Sequence, residues 1–165
     1  MRKIFSSKGA SAAVNDDGRV ITWGDAGYGG DSSAVREELQ SGVRNIFSTR
    51  SAFAAVKDDG RVITWGKDGW GGDSSAVREE LQSGVCNIFS TASAFAAVKD
   101  DGRVITWGVT RYGGESSGVS IQRNWPGIGF NTYWNNGNTL EAKISCSLEK
   151  LRMHTNYYRF GFSQG

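Results

Sequence analysis

The residue types that could carry out chemistry are few in this chain. The chain has a single histidine, His154, and no serine lies in the elbow motif of a catalytic nucleophile. The sequence therefore indicates no serine–histidine pair for nucleophilic catalysis. The two cysteines, Cys86 and Cys146, are too few for a zinc site or a disulfide framework, and we interpret both as unpaired thiols. We therefore expect no catalytic residues, no bound metal and no cofactor.

Paired carboxylates recur three times along the chain. Such pairs can perform acid–base chemistry or hold calcium. Each pair here comes directly before a glycine, a combination typical of hairpin turns, and the alternating ligands of a calcium loop are missing. Three equivalent copies would also be unusual for an active site, so we predict a role in turns. The pairs are Asp16-Asp17, Asp58-Asp59 and Asp100-Asp101.

A glycine-rich motif, Gly-Gly-Asp-Ser-Ser, occurs at Gly29–Ser33 and again at Gly71–Ser75. A helix that begins there could bind an anion at its amino terminus. The motif supplies its own carboxylate at the capping position, however, and lacks the Lys-Ser/Thr ending of a phosphate loop. We predict that Asp73 caps a short helix over Ala76–Gln82, which ends at Gly84.

These clusters recur because the chain repeats itself every 42 residues. Unit one covers residues 2–43, unit two covers 44–85, and unit three covers 86–119. Units one and two are identical at 33 of 42 positions. Trp23, Trp65 and Trp107 lie one period apart, which identifies the repeat as the basis of the fold.

Each unit contains three short β-type segments. In unit two these are Asn45–Ser48, Phe53–Val56 and Arg61–Trp65, and the last two flank an Asp-Gly turn. A small antiparallel sheet of this kind cannot bury its own faces, so the units must stack on one another. The sequence predicts an all-β, propeller-like repeat array with short helices between units. Three units are too few to close a ring by themselves. Oligomerisation or strands of the C-terminal segment would complete the ring, or the units form an open stack.

The stretches Ala52–Gly66 and Ala94–Gly108 resemble the regulator of chromosome condensation repeat, in which an Asp-Gly turn precedes a strand that ends in Trp-Gly. The resemblance covers residues 2–119 and implies that each unit is a blade of a β-propeller that presents an interaction surface. The period is shorter than the usual fifty or so, and the helical insert is untypical. The family's action on a small GTPase depends on a full ring and on insertions that have no match here.

Residues 120–165 depart from the repeat and form an aromatic, strand-rich segment. This segment has five basic residues and two acidic ones. Its stretch Gly129–Gly137 resembles the strand–turn–strand motif at the ends of bacteriophage tail fibres, which implies a fibre tip or an adhesin.

Aromatic residues are the candidate binding residues. In the loop after each Trp-Gly strand an aromatic side chain is kept while its neighbours change, and the C-terminal segment adds a second aromatic set. The loop positions are Tyr28, Trp70 and Tyr112, and the C-terminal ones are Trp125, Tyr133 and Trp134. Aromatic loop residues bind sugars and anchor protein interfaces alike, and packing between blades would explain them equally well.

We therefore predict a non-enzymatic recognition protein that binds a protein or a glycan and forms a homo-oligomer. One alternative is a structural subunit whose repeats hold an assembly together, and another is a regulator that binds a small GTPase or another cellular protein. A net charge of +2 argues against nucleic acid as a partner. No apolar run reaches the length of a membrane span or a secretory signal, which predicts a soluble protein, either cytoplasmic or reaching a virion or the extracellular space by a signal-free route.

Overall fold

Each of the three units forms one small three-stranded antiparallel sheet within residues 3–108. The computed structural model describes residues 3–115, 122–123 and 130–131. The first nine strands are β1 (Lys3–Ser6), β2 (Ala10–Val14), β3 (Val20–Gly24), β4 (Val43–Ser48), β5 (Ala52–Lys57), β6 (Val62–Gly66), β7 (Val85–Ser90), β8 (Ala94–Lys99) and β9 (Val104–Gly108). Each sheet has its strands in chain order, which confirms the three strands predicted for a unit.

Two further strands, β10 (Gln122–Arg123) and β11 (Phe130–Asn131), form an antiparallel pair. The prediction for the rest of the C-terminal segment falls outside the described residues.

The connection between sheets is not the two-turn helix predicted over Ala76–Gln82. It consists of two short 3-10 helices, Ser75–Val77 and Glu80–Gln82. A segment of seven residues is too short to be stable as an isolated α-helix, and Leu81 is the only residue of these two helices that is fully buried. The remaining 3-10 helices are Ala26–Tyr28, Ser33–Val35, Asp68–Trp70 and Thr110–Tyr112.

The hairpin turn of each unit fixes the start of the next unit. Gly60 has a φ of +79°, and a Cβ atom there would lie 2.8 Å from the backbone nitrogen of Gly84. Its carbonyl accepts a hydrogen bond from the backbone N–H of Val85 at 3.0 Å. The Oδ1 atom of Asp59 accepts one from the backbone N–H of Arg61 at 2.9 Å. Turn geometry therefore accounts for this carboxylate pair, as predicted.

The hydrophobic core lies between successive sheets, not within one of them. Alternate residues of a strand point to opposite faces, and in β5 the two faces serve different neighbours. Phe53 and Ala55 pack in a cluster with residues of unit one, whereas Ala52, Ala54 and Val56 pack in a cluster with residues of unit three. Sheets stacked in this way confirm an all-β, propeller-like repeat array.

A tryptophan links the sheet of unit two to unit one, and another links the sheet of unit three to unit two. The indole Nε1–H of Trp65 donates to the carbonyl of Gly29 at 3.0 Å, and the Trp65 ring stacks on Phe53 with centroids 5.3 Å apart. Trp107 makes the equivalent bond to Gly71 at 3.0 Å. Both indoles are buried, so the hydrogen bond satisfies a donor and an acceptor that water cannot reach.

Two further findings concern the cysteines and the membrane. Cys86 is disulfide-bonded, so its interpretation as an unpaired thiol is wrong. Within the described residues, no helix has the length and apolar character that crossing a membrane requires.

The tryptophan link can be tested by removing the indole N–H and keeping an aromatic ring. Trp65→Phe would leave the buried carbonyl of Gly29 without its donor, and we expect the free energy of unfolding to fall by about 1–3 kcal/mol. The matched control is Trp23→Phe, because the Trp23 side chain is 46% exposed and its indole forms no hydrogen bond to a described residue. Its effect should stay within about 0.5 kcal/mol. If urea denaturation shows the same loss in the free energy of unfolding for Trp65→Phe and Trp23→Phe, the tryptophan link is contradicted.

Candidate functional site

The aromatic loop of each unit is tied to that unit's first turn. The Ser7 hydroxyl donates to the carbonyl of Tyr28 at 2.8 Å, and the Thr49 hydroxyl donates to the carbonyl of Trp70 at 3.0 Å. The turn between the first two strands therefore sets the position of the loop that follows the third.

Neighbouring turns are also joined to each other, and a cleft opens beside this junction. The backbone N–H of Lys8 donates to the carbonyl of Arg50 at 3.0 Å. The cleft has a volume of about 610 Å³ and lies between the loops of units one and two. It is lined by Lys8, Ala26, Gly27, Tyr28, Arg50, Ser51, Gly66, Lys67, Asp68 and Trp70.

The structure brings together two of the aromatic residues singled out from the sequence. Tyr28 and Trp70 both line the cleft and are half-buried. Tyr112 occupies the corresponding loop of unit three, is 46% exposed, and does not line this cleft. The other three candidates, Trp125, Tyr133 and Trp134, lie outside the described residues.

Three cations line the cleft together with the two aromatic side chains. Lys8, Arg50 and Lys67 line the cleft together with a single carboxylate, that of Asp68, and all four side chains are exposed. Among residues 3–115, no salt bridge neutralises any of the three cations. The cleft is therefore a positively charged groove with aromatic walls.

A cation lies over one face of the Trp70 ring. The Nζ atom of Lys67 lies 5.5 Å from the ring centroid, within the range of a cation–π interaction. In unit three the guanidinium carbon of Arg111 lies 5.1 Å from the centroid of Tyr112. A cation over the ring competes with any flat ligand that would stack on the same face.

The differences between the two nearly identical units concentrate at the cleft. Five of the nine positions at which units one and two differ contribute lining residues. Lys8 corresponds to Arg50, and Ala26 corresponds to Asp68. The variable loop indicates the aromatic residues from the sequence alone, but it gives no indication of the cations in the first turns. Lys8 and Arg50 occupy the same position of the repeat, where the residue type varies but the positive charge is kept between units one and two. This retained charge is the sequence feature that could have indicated the two cations.

The prediction that Asp73 is the N-cap of a helix is wrong, because the N-cap residues of the 3-10 helices are Ser32 and Ser74 and neither makes a side-chain capping bond. The acidic residue before each of them instead bonds to the backbone two residues further on. The Oδ1 atom of Asp73 accepts a hydrogen bond from the backbone N–H of Ser75 at 2.8 Å, and Asp31 does the same with Ser33 at 2.9 Å. The hydrogen bond from the Ser75 backbone is the main cause that lowers the pKa of Asp73 below 3.8. Within the described residues, no group of three or more potential ligands could hold a metal ion.

The lowered pKa of Asp73 gives a pH dependence with a definite sign. Because the folded pKa lies below the unfolded one, the stabilisation is complete above about pH 3.8 and is lost as the pH falls through the folded value. The stability difference between wild type and Asp73→Asn should therefore shrink as the pH falls below 3.8. Asp68→Asn is the control, since that carboxylate forms no side-chain hydrogen bond to a described residue. Denaturation curves at several pH values would show a constant difference if the hydrogen bond from the Ser75 backbone to Asp73 contributes nothing.

Comparisons with known proteins return a partial match to a solved structure. No family model matches the chain, and no curated protein matches it. A similar solved structure is the crystal structure of human WBSCR16, with 19% sequence identity and a TM-score of 0.43. The match covers 64% of this chain and 33% of that one, so the chain spans about a third of that structure.

Proposed function

We propose that this protein is a non-enzymatic interaction module that binds an acidic peptide segment of another protein in the cleft between units one and two. The observation that carries the proposal is the arrangement of Lys8, Arg50 and Lys67 around Tyr28 and Trp70. Carboxylates of the ligand would pair with the cations, and its apolar parts would contact the aromatic side chains.

The occupied ring face favours a peptide over a glycan. Sugars stack on the open face of an aromatic ring, but Lys67 stands over the ring of Trp70. An extended acidic peptide does not have to stack on an open ring face. Its carboxylate side chains can reach the three cations from the open side of the cleft. In this proposal the units are propeller blades of the regulator of chromosome condensation type, and their loop edge is the recognition surface.

The test is binding of a fluorescein-labelled peptide that alternates glutamate with glycine, compared with the same peptide carrying glutamine. We expect binding of the glutamate peptide only, and weaker binding between about 0.05 and 0.5 M salt because exposed charges are screened. If the two peptides bind equally, or a sulfated oligosaccharide binds and the glutamate peptide does not, the acidic-peptide proposal is wrong.

Substitutions in the cleft test whether it is the binding site of the glutamate peptide. Arg50→Gln combined with Lys67→Gln should weaken binding of the glutamate peptide by about five- to thirty-fold, since each exposed ion pair contributes up to about 1 kcal/mol. Trp70→Ala should weaken it as well, through the loss of aromatic contact. The matched control is Arg36→Gln, an exposed cation of the connecting segment that does not line the cleft. A comparable loss with this control would place the binding site elsewhere.

A further inference from the structure

The contact that joins the first turns of units one and two is repeated between units two and three. The backbone N–H of Arg50 donates to the carbonyl of Ala92 at 3.0 Å, and the carbonyl of Arg50 accepts from Lys8 at the same distance. A serine strengthens the second step, because the Ser90 hydroxyl donates to the carbonyl of Ser48 at 2.8 Å. Arg50 is therefore bonded on both sides, and the three first turns form one continuous row.

The aromatic loop of unit three is attached to this row in the same way as the loop of unit two. The Thr91 hydroxyl donates to the carbonyl of Tyr112 at 3.0 Å, and this bond is equivalent to the one from Thr49 to Trp70. One aromatic loop therefore follows each turn of the row. The ring next to Trp70 in this series is that of Tyr112, which is exposed.

Units two and three each place a cation over the aromatic ring of the loop. In unit two Lys67 lies over the ring of Trp70. In unit three Arg111 lies over the ring of Tyr112, although it stands at the loop position where unit two has Gly69. Arg111 is exposed, and within the described part of the chain no salt bridge neutralises it. The combination of positive charge and aromatic surface that characterises the cleft therefore continues onto unit three.

The charges of residues 3–115 are unevenly distributed between the loop edge and the rest of the surface. We define the loop edge as the first turns and aromatic loops of the three units, which are residues 7–9, 25–28, 49–51, 67–70, 91–93 and 109–112. It has four cations and two carboxylates, those of Asp25 and Asp68, whereas the other residues between 3 and 115 have nine cations and thirteen carboxylates. The field of this part of the chain therefore attracts an acidic ligand to the loop edge and repels it elsewhere.

We propose that the ligand is an acidic segment that extends across all three units, and that Arg111 and Tyr112 contact it beyond the cleft. This inference rests on the proposed function and specifies the length of its ligand. Packed sheets lie about 10 Å apart, so the loops of units one and three are separated by roughly 20 Å. An extended chain rises about 3.3 Å per residue, so the segment has about six residues or more. Several weak contacts made at once then raise its affinity.

The first turn of unit three lacks the cation that the other two first turns have. Ala92 occupies the position of Lys8 and Arg50, and its side chain is exposed. An arginine there would extend the row of cations without displacing a packed side chain. This position therefore allows a test by gain of binding, which loss of folding cannot produce.

The test is fluorescence anisotropy of a fluorescein-labelled peptide of twelve alternating glutamate and glycine residues, titrated with the full chain at about 0.05 M salt. Arg111→Gln should weaken binding by about two- to five-fold, which is the range for loss of one exposed ion pair. Ala92→Arg should strengthen binding by a similar factor, because it adds one such pair.

Two control variants change the same charge away from the loop edge. Arg103→Gln removes a cation from the hairpin turn at the other end of the unit-three sheet, where Arg103 is exposed. Ala34→Arg adds a cation at an exposed position of the connecting segment of unit one. Both controls should bind the peptide as wild type does.

The outcomes separate this inference from the proposed function. If the peptide does not bind to wild type, both are wrong. If Arg50→Gln combined with Lys67→Gln weakens binding but Arg111→Gln does not, the ligand is confined to the cleft and this inference alone is wrong. It is also wrong if either control changes the affinity as much as its matched variant, because total charge would then explain the effect. Should Arg111→Gln fail to fold, as judged by circular dichroism, an unchanged affinity of Ala92→Arg overturns the inference.

Discussion

Every unit of this protein depends on covering the sheet face that a single unit cannot bury by itself. Three β-strands have two faces and no internal core, so their apolar side chains leave water only when another sheet lies against them. The buried hydrogen bond from a tryptophan indole to a glycine carbonyl of the preceding unit fixes how the sheets meet. The close approach of Phe53 to Gly29 leaves no room for a side chain at that glycine. The spacing of the array therefore follows from a few contacts repeated every 42 residues.

The stacking of the sheets determines where the loops lie. Because consecutive sheets are held in the same relation, equivalent loops lie side by side, and residues a full period apart in sequence line one cleft. The repeat keeps the scaffold constant, while substitutions at the loop edge change charge and ring type. Units that are nearly identical elsewhere can in this way build a cleft whose two walls differ.

The sequence predicted the strands well because their signals are local. Val62–Trp65 is β-branched and aromatic, and the Asp-Gly turn before it requires a glycine with positive φ. The connecting segment was predicted less well, since Leu81 anchors it through a contact with the next unit that no local pattern reveals. Of the residues that line the cleft, only the aromatic ones were predicted from the sequence. Lys8 and Arg50 belong to turns that are far from the aromatic loops in the sequence. Only the stacking of neighbouring units brings these cations into the same cleft as Tyr28 and Trp70.

The stacking also affects how the array opens. Within residues 3–115, unit two is covered on both sides by described sheets, whereas unit one packs against unit two alone. Local opening of unit one should therefore cost less free energy than opening of unit two, and it involves residues that form one wall of the cleft. A ligand bound in that cleft would hold the terminal unit closed, so occupancy and the amide-exchange protection of unit one are thermodynamically linked.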